Sequence, residues 1–342
     1  MPRKIVNGVM AGRSVAQPIT MRLLLLATVV SLASVSGPTK PAYSADTPPA
    51  WAYPVTPPDF VLPPDDGSVK RVPDSSATFS IGQIRDRFFT KDWHPSDHPA
   101  MPEIVARGRK PDVLACGHCH RADGSGGPEN ASLAGLPADY IVQQMVDFRS
   151  GARKSSVPQR LPVSLMLSVA RATSDDEVGK AAAYFSSLKP KERIKVIETD
   201  TVPKTYIAWL IFAASKDGGQ EPIDQRIVEV PDDLDQFESY DDRARFTAYV
   251  PLGSLAKGEA LVTTGEAGKT VQCAICHGPD LRGLGPVPSI AGRSPSYIVR
   301  QLFDMKHGQR TGPWSPLMAK VVANLDEEAL VSIAAYLASR EP

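Results

Sequence analysis

Residues 115–120 read ACGHCH, and residues 272–277 read QCAICH. These two stretches hold all 4 cysteines of the 342-residue chain, in two copies of Cys-x-x-Cys-His. Three chemistries compete for such a pattern. Disulfides between cysteines three apart would close tiny loops and leave each histidine without a purpose. Zinc accepts Cys-x-x-Cys knuckles, but these two lie 157 residues apart, and the adjoining histidines stay unexplained. Covalent haem attachment uses the whole pentapeptide. Two thiols add to the two vinyl groups on one porphyrin edge, and the adjacent imidazole ligates the iron. This reading assigns Cys116, Cys119 and His120 to one haem c, and Cys273, Cys276 and His277 to a second. His118 falls on a variable position of its motif.

The motifs sit in an internal repeat, a feature to seek before detailed structure. At an offset of 157 residues, Cys116 meets Cys273, Gly108 meets Gly265 and Gly126 meets Gly283. Residues 133–153, LAGLPADYIVQQMVDFRSGAR, then lie on residues 290–310, IAGRSPSYIVRQLFDMKHGQR. Tyr140 matches Tyr297, Gln144 matches Gln301, Asp147 matches Asp304 and Arg153 matches Arg310. Beyond Arg153 the offset falls to 152, pairing Met166 with Met318 and Tyr184 with Tyr336. This register sorts the methionines. Met145 faces Leu302 and Met305 faces Phe148, so both read as packing residues. Met166 and Met318 recur, in loops rich in Ser and Pro just upstream of a helix, where a thioether suits haem iron. The alternative is that both pack, with sixth positions open or filled by histidine. His307 and His98 are the reserve ligands, and neither recurs.

Residues 174–188 open on Ser-Asp-Asp-Glu, a capping box, and place Val178, Ala181, Ala182, Phe185 and Leu188 on one helical face. Residues 326–339 are the twin. Residues 137–149 and 294–307 predict a middle helix in each copy, and short helices precede both motifs. Each copy is then a helical unit of roughly 85–90 residues, near the lower limit for an independent core.

With Leu/Ile-Ala-Gly, Tyr-Ile, Gly-x-Arg and a closing Ala-Ala-Tyr helix added, the chain resembles the tandem dihaem class I c-type cytochromes. These are the cytochrome c4-like electron carriers of bacterial periplasms. The resemblance covers residues 102–188 and 255–339. It implies a mainly α fold with two class I cytochrome c domains in tandem, whose N- and C-terminal helices cross. Each domain wraps a haem held between His and Met. It implies that Pro288 offers a carbonyl to His277, with Ala131 standing at that place in the first copy. Arg153 and Arg310 look placed to meet haem propionates; plain surface arginines are the alternative. Tyr140 and Tyr297 read as core residues at the haem with a hydrogen-bonding tip, and Trp314 as packing by the haem edge.

Outside the repeat the chain departs from that pattern. Arg22 precedes LLLLATVVSLASV (23–35), an apolar run too short to span a bilayer comfortably, with small residues after it. Residues 1–45 thus read as an export signal, started at Met1 or Met21, with a retained membrane anchor as the alternative. Residues 46–99 read as a Pro-rich arm, lying on the protein or tethering it, with 7 prolines in 48–64. Near its end His94 and His98 read as surface residues more than ligands. Domain one spans 100–190 and domain two 254–342. Between them, residues 191–253 carry strand-like runs, RIKVIET, TYIAWLIFAA, QRIVEV and FTAYV, and read as a small β-rich insert. The insert has 13 acidic against 8 basic residues, and 7 of those acids fall in 229–242. A solvated face is the plain reading; a surface that steers a basic partner is the sharper one.

Formal net charge is 0, which gives no argument for nucleic acid. The first functional expectation is a periplasmic electron carrier between a dehydrogenase or other donor and a terminal acceptor, with redox proteins as partners. Membrane attachment would require a retained signal. The rival is a dihaem peroxidase, or the haem subunit of a dehydrogenase complex. A peroxidase needs a displaceable sixth ligand, and paired Met positions argue against one.

Overall fold

Helices in the second half of the chain follow directly from spacing and caps. Asp326 accepts from the Ala329 amide and starts a helix over Glu327–Ala338, and every residue from Ala329 to Ala338 is buried. Burial on all sides is possible because other elements cover this helix all round. One of them is the helix Ser254–Thr264, stopped at Gly265 in the left-handed region. The two cross at Gly258, where a Cβ would stand 2.0 Å from the Ser332 carbonyl oxygen. Only a glycine permits that approach.

The structure, a computed structural model, describes residues 47–342. The export-signal reading therefore lies outside the described residues. In chain order the helices are α1 (Ile81–Arg85), α2 (Glu103–Ala106), α3 (Cys116–His120), α4 (Ala138–Ser150), α5 (Leu161–Ala172) and α6 (Asp175–Ser187). They continue with α7 (Leu234–Glu238), α8 (Ser254–Thr264), α9 (Ala274–His277), α10 (Pro295–Lys306), α11 (Ser315–Val322) and α12 (Glu327–Ala338). The capping box expected at Ser174 and Glu177 opens α6. Met166 and Met318 do not lie in loops. They lie inside α5 and α11, whose first turns hold Pro162 and Pro316. Proline at that position starts a helix rather than breaking it, since the N–H it lacks has no partner there anyway.

Strands β1 (Val69–Lys70) and β2 (Phe79–Ser80) pair near the start, and seven more follow between α6 and α8. These are β3 (Ile194–Thr199), β4 (Thr201–Pro203), β5 (Thr205–Ala208), β6 (Ile211–Ala214), β7 (Gln220–Pro222), β8 (Val228–Pro231) and β9 (Phe246–Pro251). β3 and β9 run parallel, Ile194 opposite Phe246 and Thr199 opposite Pro251, and β8 lies antiparallel on the other side of β9. TYIAWLIFAA folds back on itself: β5 and β6 form a hairpin turning at Trp209, whose φ is +56°. β4 pairs with β7.

Burial shows where the cores lie. Phe246, Ala248 and Val250 alternate inward along β9, the period-2 pattern of a half-covered strand. They join one buried cluster with Leu261, Val299, Phe303 and Leu330. A separate cluster gathers Val105, Val113, Leu136, Ile141, Ala182 and Phe185 around α4 and α6. The sheet therefore shares its core with the second set of helices. Residues 51–54 are tied to the same side. The Tyr53 hydroxyl donates to Asp304 Oδ1 at 2.9 Å, Trp51 Nε1 donates to Glu327 at 3.0 Å, and Arg300 donates to the Ala52 carbonyl at 2.8 Å.

Two surface readings need correction. The acidic run 229–242 is not one face: Glu229, Asp241 and Asp242 are buried. Glu229 accepts from Ser294 and Ser296, which is why burial is tolerated. His94 and His98 are likewise enclosed, with side-chain exposures of 2% each. Carboxylates draw them inward: Asp241 lies 3.1 Å from His94 Nε2, and Asp92 lies 3.2 Å from His98 Nε2.

Candidate haem sites

Both Cys-x-x-Cys-His motifs fold as one short helical turn, α3 and α9, which stacks the second cysteine and the histidine beside the first cysteine. After each turn the chain doubles back, and the histidine is clamped by a main-chain oxygen 11 residues on. His120 Nδ1 lies 2.8 Å from the Ala131 carbonyl oxygen, and His277 Nδ1 lies 2.8 Å from that of Pro288. A ring that donates through Nδ1 keeps its Nε2 lone pair free for a metal. Burial pulls both imidazoles below their ordinary range, which favours the neutral form a ligand needs.

The four cysteines are unpaired. Burial pushes the Cys116 thiol up to about 12, and the Cys119 and Cys273 thiols up to about 11, so these sites do not favour thiolate chemistry. Among the described residues, no group of three His, Cys, Asp or Glu side chains from the motifs converges on one point.

Both motifs open into one cavity of about 1150 Å³, and every predicted site residue lines it: Cys116, Cys119, His120, Tyr140, Arg153, Met166, Cys273, Cys276, His277, Pro288, Tyr297, Arg310 and Met318. Met145 and Met305, read as packing residues, border it as well, as does Trp314. The reserve residues His98 and His307 do not. His307 stacks on Phe303 with ring centroids 3.9 Å apart.

The wall between the two motifs is cationic. Arg153 and Arg310 are buried, so they are not surface arginines. Their backbones face each other in an antiparallel bridge, and the flanking bonds obey the repeat. The Lys154 amide donates to the Gln309 carbonyl at 2.7 Å; its counterpart, the Thr311 amide, donates to Ala152 at 2.7 Å. Arg153 donates to Gln144 of its own repeat, and to Tyr297 and Gln301 of the other. Arg310 donates to Gln301 of its own repeat and to Gln144 of the other. Burial alone would raise the Tyr140 phenol, but the charges of Arg310 and Arg153 outweigh it and lower its pKa.

Sequence reading missed three further arginines in this wall, Arg160, Arg293 and Arg300, because none has an arginine as its repeat partner. Gln144 and Gln301 did recur in register, and that was the available signal. Burial pulls Arg293 down to about 10; burial, with Arg300 alongside, pulls Arg160 down to about 9. Arg160 Nη2 and Arg121 Nη1 are buried without a hydrogen-bond partner. An apolar cavity rimmed by under-neutralised cations and entered by two imidazoles fits haem, a flat apolar macrocycle with two carboxylates.

No family model matches the chain. Relatives are found nonetheless. A cytochrome c-554(548) of Halomonas halodenitrificans is 34% identical over 90 residues, covering 26% of this chain and 99% of that protein. A thiosulfate dehydrogenase electron acceptor of Thiomonas intermedia is 26% identical, over 67% of this chain and 80% of its own length. A cytochrome c4 of Azotobacter vinelandii is 26% identical over 70% and 90% respectively. Among solved structures, a thiosulfate dehydrogenase (TsdBA) of Marichromatium purpuratum aligns with a TM-score of 0.46 and 27% identity, over 69% of this chain and 39% of that one. No helix among the described residues is long and apolar enough to cross a membrane. The chain belongs to the c-type cytochromes and is similar, at lower identity, to the cytochrome c4 carriers.

Proposed function

We propose that this is a periplasmic carrier with two haems c, each bound covalently at Cys-x-x-Cys-His and held between histidine and methionine. The proposed axial pairs are His120 with Met166 and His277 with Met318. The observation that carries the reading is the pair of imidazoles. Each is fixed through Nδ1 by a main-chain oxygen, and both enter one cavity bordered by a methionine-bearing helix from each repeat. Haem in such a site supplies one-electron chemistry at a potential set by its axial ligands and surroundings.

The chain's own residues do the rest. Gly283, whose amide donates to the His277 carbonyl, and the Pro288 carbonyl shape the loop that orients His277. Arg153 and Arg310 offer charge-assisted bonds to carboxylates. The surround of the second motif leaves apolar side chains to a partner: Ile275 is 63% exposed, Leu284 60% and Trp314 59%. We assign the partner-facing role to this edge. Relatives named as an electron acceptor of thiosulfate dehydrogenase and as the cytochrome subunit of a sulfide dehydrogenase make an enzyme oxidising inorganic sulfur the donor to test first.

The test is a redox titration with spectra of the purified holoprotein. Two low-spin components with the methionine-to-iron charge-transfer band support the assignment. A high-spin fraction that turns over hydrogen peroxide overturns it in favour of a peroxidase. Met318→Ala is expected to open one iron to carbon monoxide; unchanged ligand binding would remove Met318 from the site.

A further inference from the structure

One cluster of ligand-type side chains stands apart from the haem cavity. His94, in the loop after Trp93, meets Asp241 and Asp242, in the turn before β9. None of the three lines the cavity, and all are buried, at 3%, 1% and 2% exposure. One potential ligand atom from each lies within 4.8 Å of the others. His94 Nε2 is 3.1 Å from Asp241 Oδ1 and 3.9 Å from Asp242 Oδ1.

The two carboxylates are not alike. Asp241 is satisfied: Gln236 Nε2 donates to it at 2.6 Å and the Arg243 amide at 2.8 Å. Asp242 is buried with neither oxygen hydrogen-bonded. A buried carboxylate without partners carries a heavy desolvation cost. The cations nearby are engaged elsewhere. Arg243 grips Asp97 with two bonds, Lys191 also reaches Asp97, and Arg193 bonds Asp123. Burial, then Asp123 and Asp241, push Asp242 up to about 7, as expected where negative charge gathers without its counter-ion.

From this geometry we infer a divalent transition-metal site, of zinc type, formed by His94 Nε2 and one oxygen each of Asp241 and Asp242. The donor set decides the class. An imidazole suits zinc and its neighbours and disfavours magnesium and calcium, which take oxygen ligands. Ligands about 2.0–2.2 Å from a zinc ion stand about 3–3.5 Å apart; His94 and Asp241 already keep that spacing, and Asp242, 3.9 Å from His94, has to move inward. The ion takes the Nε2 lone pair, and the neutral imidazole then carries its single proton on Nδ1. Three protein ligands leave one position for water.

The site joins segments 147 residues apart in sequence, next to the bond from Trp93 Nε1 to the Ser239 carbonyl. Zinc there would staple the N-terminal segment to the insert. The experiment uses holoprotein stripped with chelator and titrated with zinc chloride. One equivalent of zinc is expected to bind and to raise the thermal midpoint. The zinc absorption edge should report only nitrogen and oxygen neighbours at about 2.0 Å. Asp242→Asn should weaken zinc binding by at least tenfold with haem content and spectrum unchanged. Should that variant fail to fold, the wild-type edge spectrum decides alone. No zinc uptake by wild type, a sulfur neighbour at the zinc, or equal uptake by folded Asp242→Asn overturns the proposal.

Discussion

The two Cys-x-x-Cys-His turns have nearly the same backbone and opposite surroundings. In the first, the variable residues are Gly117 and His118, and both are buried. In the second they are Ala274 and Ile275, and Ile275 is 63% exposed. The difference comes from a lid over the first turn alone. Thr90 presses on Gly117, where a Cβ would meet its side chain at 2.7 Å. Lys91 Nζ lies 2.5 Å from His118 Nδ1, and the Tyr240 ring packs on His118 at 4.6 Å between centroids. Two letters of each motif thus record whether chain or solvent lies outside. A repeat need not be used symmetrically: one copy is walled in, and the other is open to solvent.

The largest expected effect tests what the two sites share. Without haem, the apolar lining of a pocket of about 1150 Å³ has no partner atoms, a loss that is large against a typical stability of about 5–15 kcal/mol. Haem-free protein should therefore show no cooperative thermal transition by calorimetry; a sharp one would mean that the chain holds both sites without cofactor. Next comes the helix crossing beneath the open site. Gly258→Ala drives a Cβ into the Ser332 carbonyl and should cost about 3 kcal/mol, whereas Gly179→Ala, on α6 with nothing within 4 Å, should stabilise by about 0.5–1 kcal/mol. Thermal midpoints moving the same way would break this contrast.

Substitutions within the motifs sharpen the comparison further. Gly117→Ala should cost about 1–2 kcal/mol because Thr90 is buried and held by a bond to the Val105 carbonyl. Ile275→Glu should leave stability within about 0.5 kcal/mol and slow reaction with a redox partner several-fold, as stopped-flow would read. The smallest effect is a pH slope. Burial lowers the His98 pKa, but Asp92 and the Pro99 carbonyl outweigh it and raise the pKa above its ordinary 6.5. Its contribution is whole below about 6.5 and is lost as pH rises through the higher folded value. His98→Gln should flatten that slope in denaturation midpoints taken across this range.

Much of the site was legible because its signals are local or repeated. Cys-x-x-Cys-His fixes chemistry within five residues, Ser174 and Glu177 cap a helix within four, and the repeat brought Arg153 to Arg310 without any structure. FTAYV announced β9 by alternation. What escaped depends on partners distant in sequence. The parallel pairing of β3 with β9 joins residues about 50 positions apart, and nothing in either strand names its neighbour. DWHPSDH reads as surface because it is polar, and His94 is buried only because Asp241 comes to meet it. The roles of Arg293 and Arg300 were hidden for a similar reason: they bond main-chain oxygens, which carry no residue identity.

The crossed bonds of Arg153 and Arg310 have a last consequence. Gln144 accepts from both guanidiniums, and so does Gln301. A change at either arginine therefore strips a partner from both halves of the molecule at once, and paired substitutions there should not add. Neither half of the cavity can be altered alone from this wall. Evolution, or an engineer, must adjust the two together or work from their outer faces.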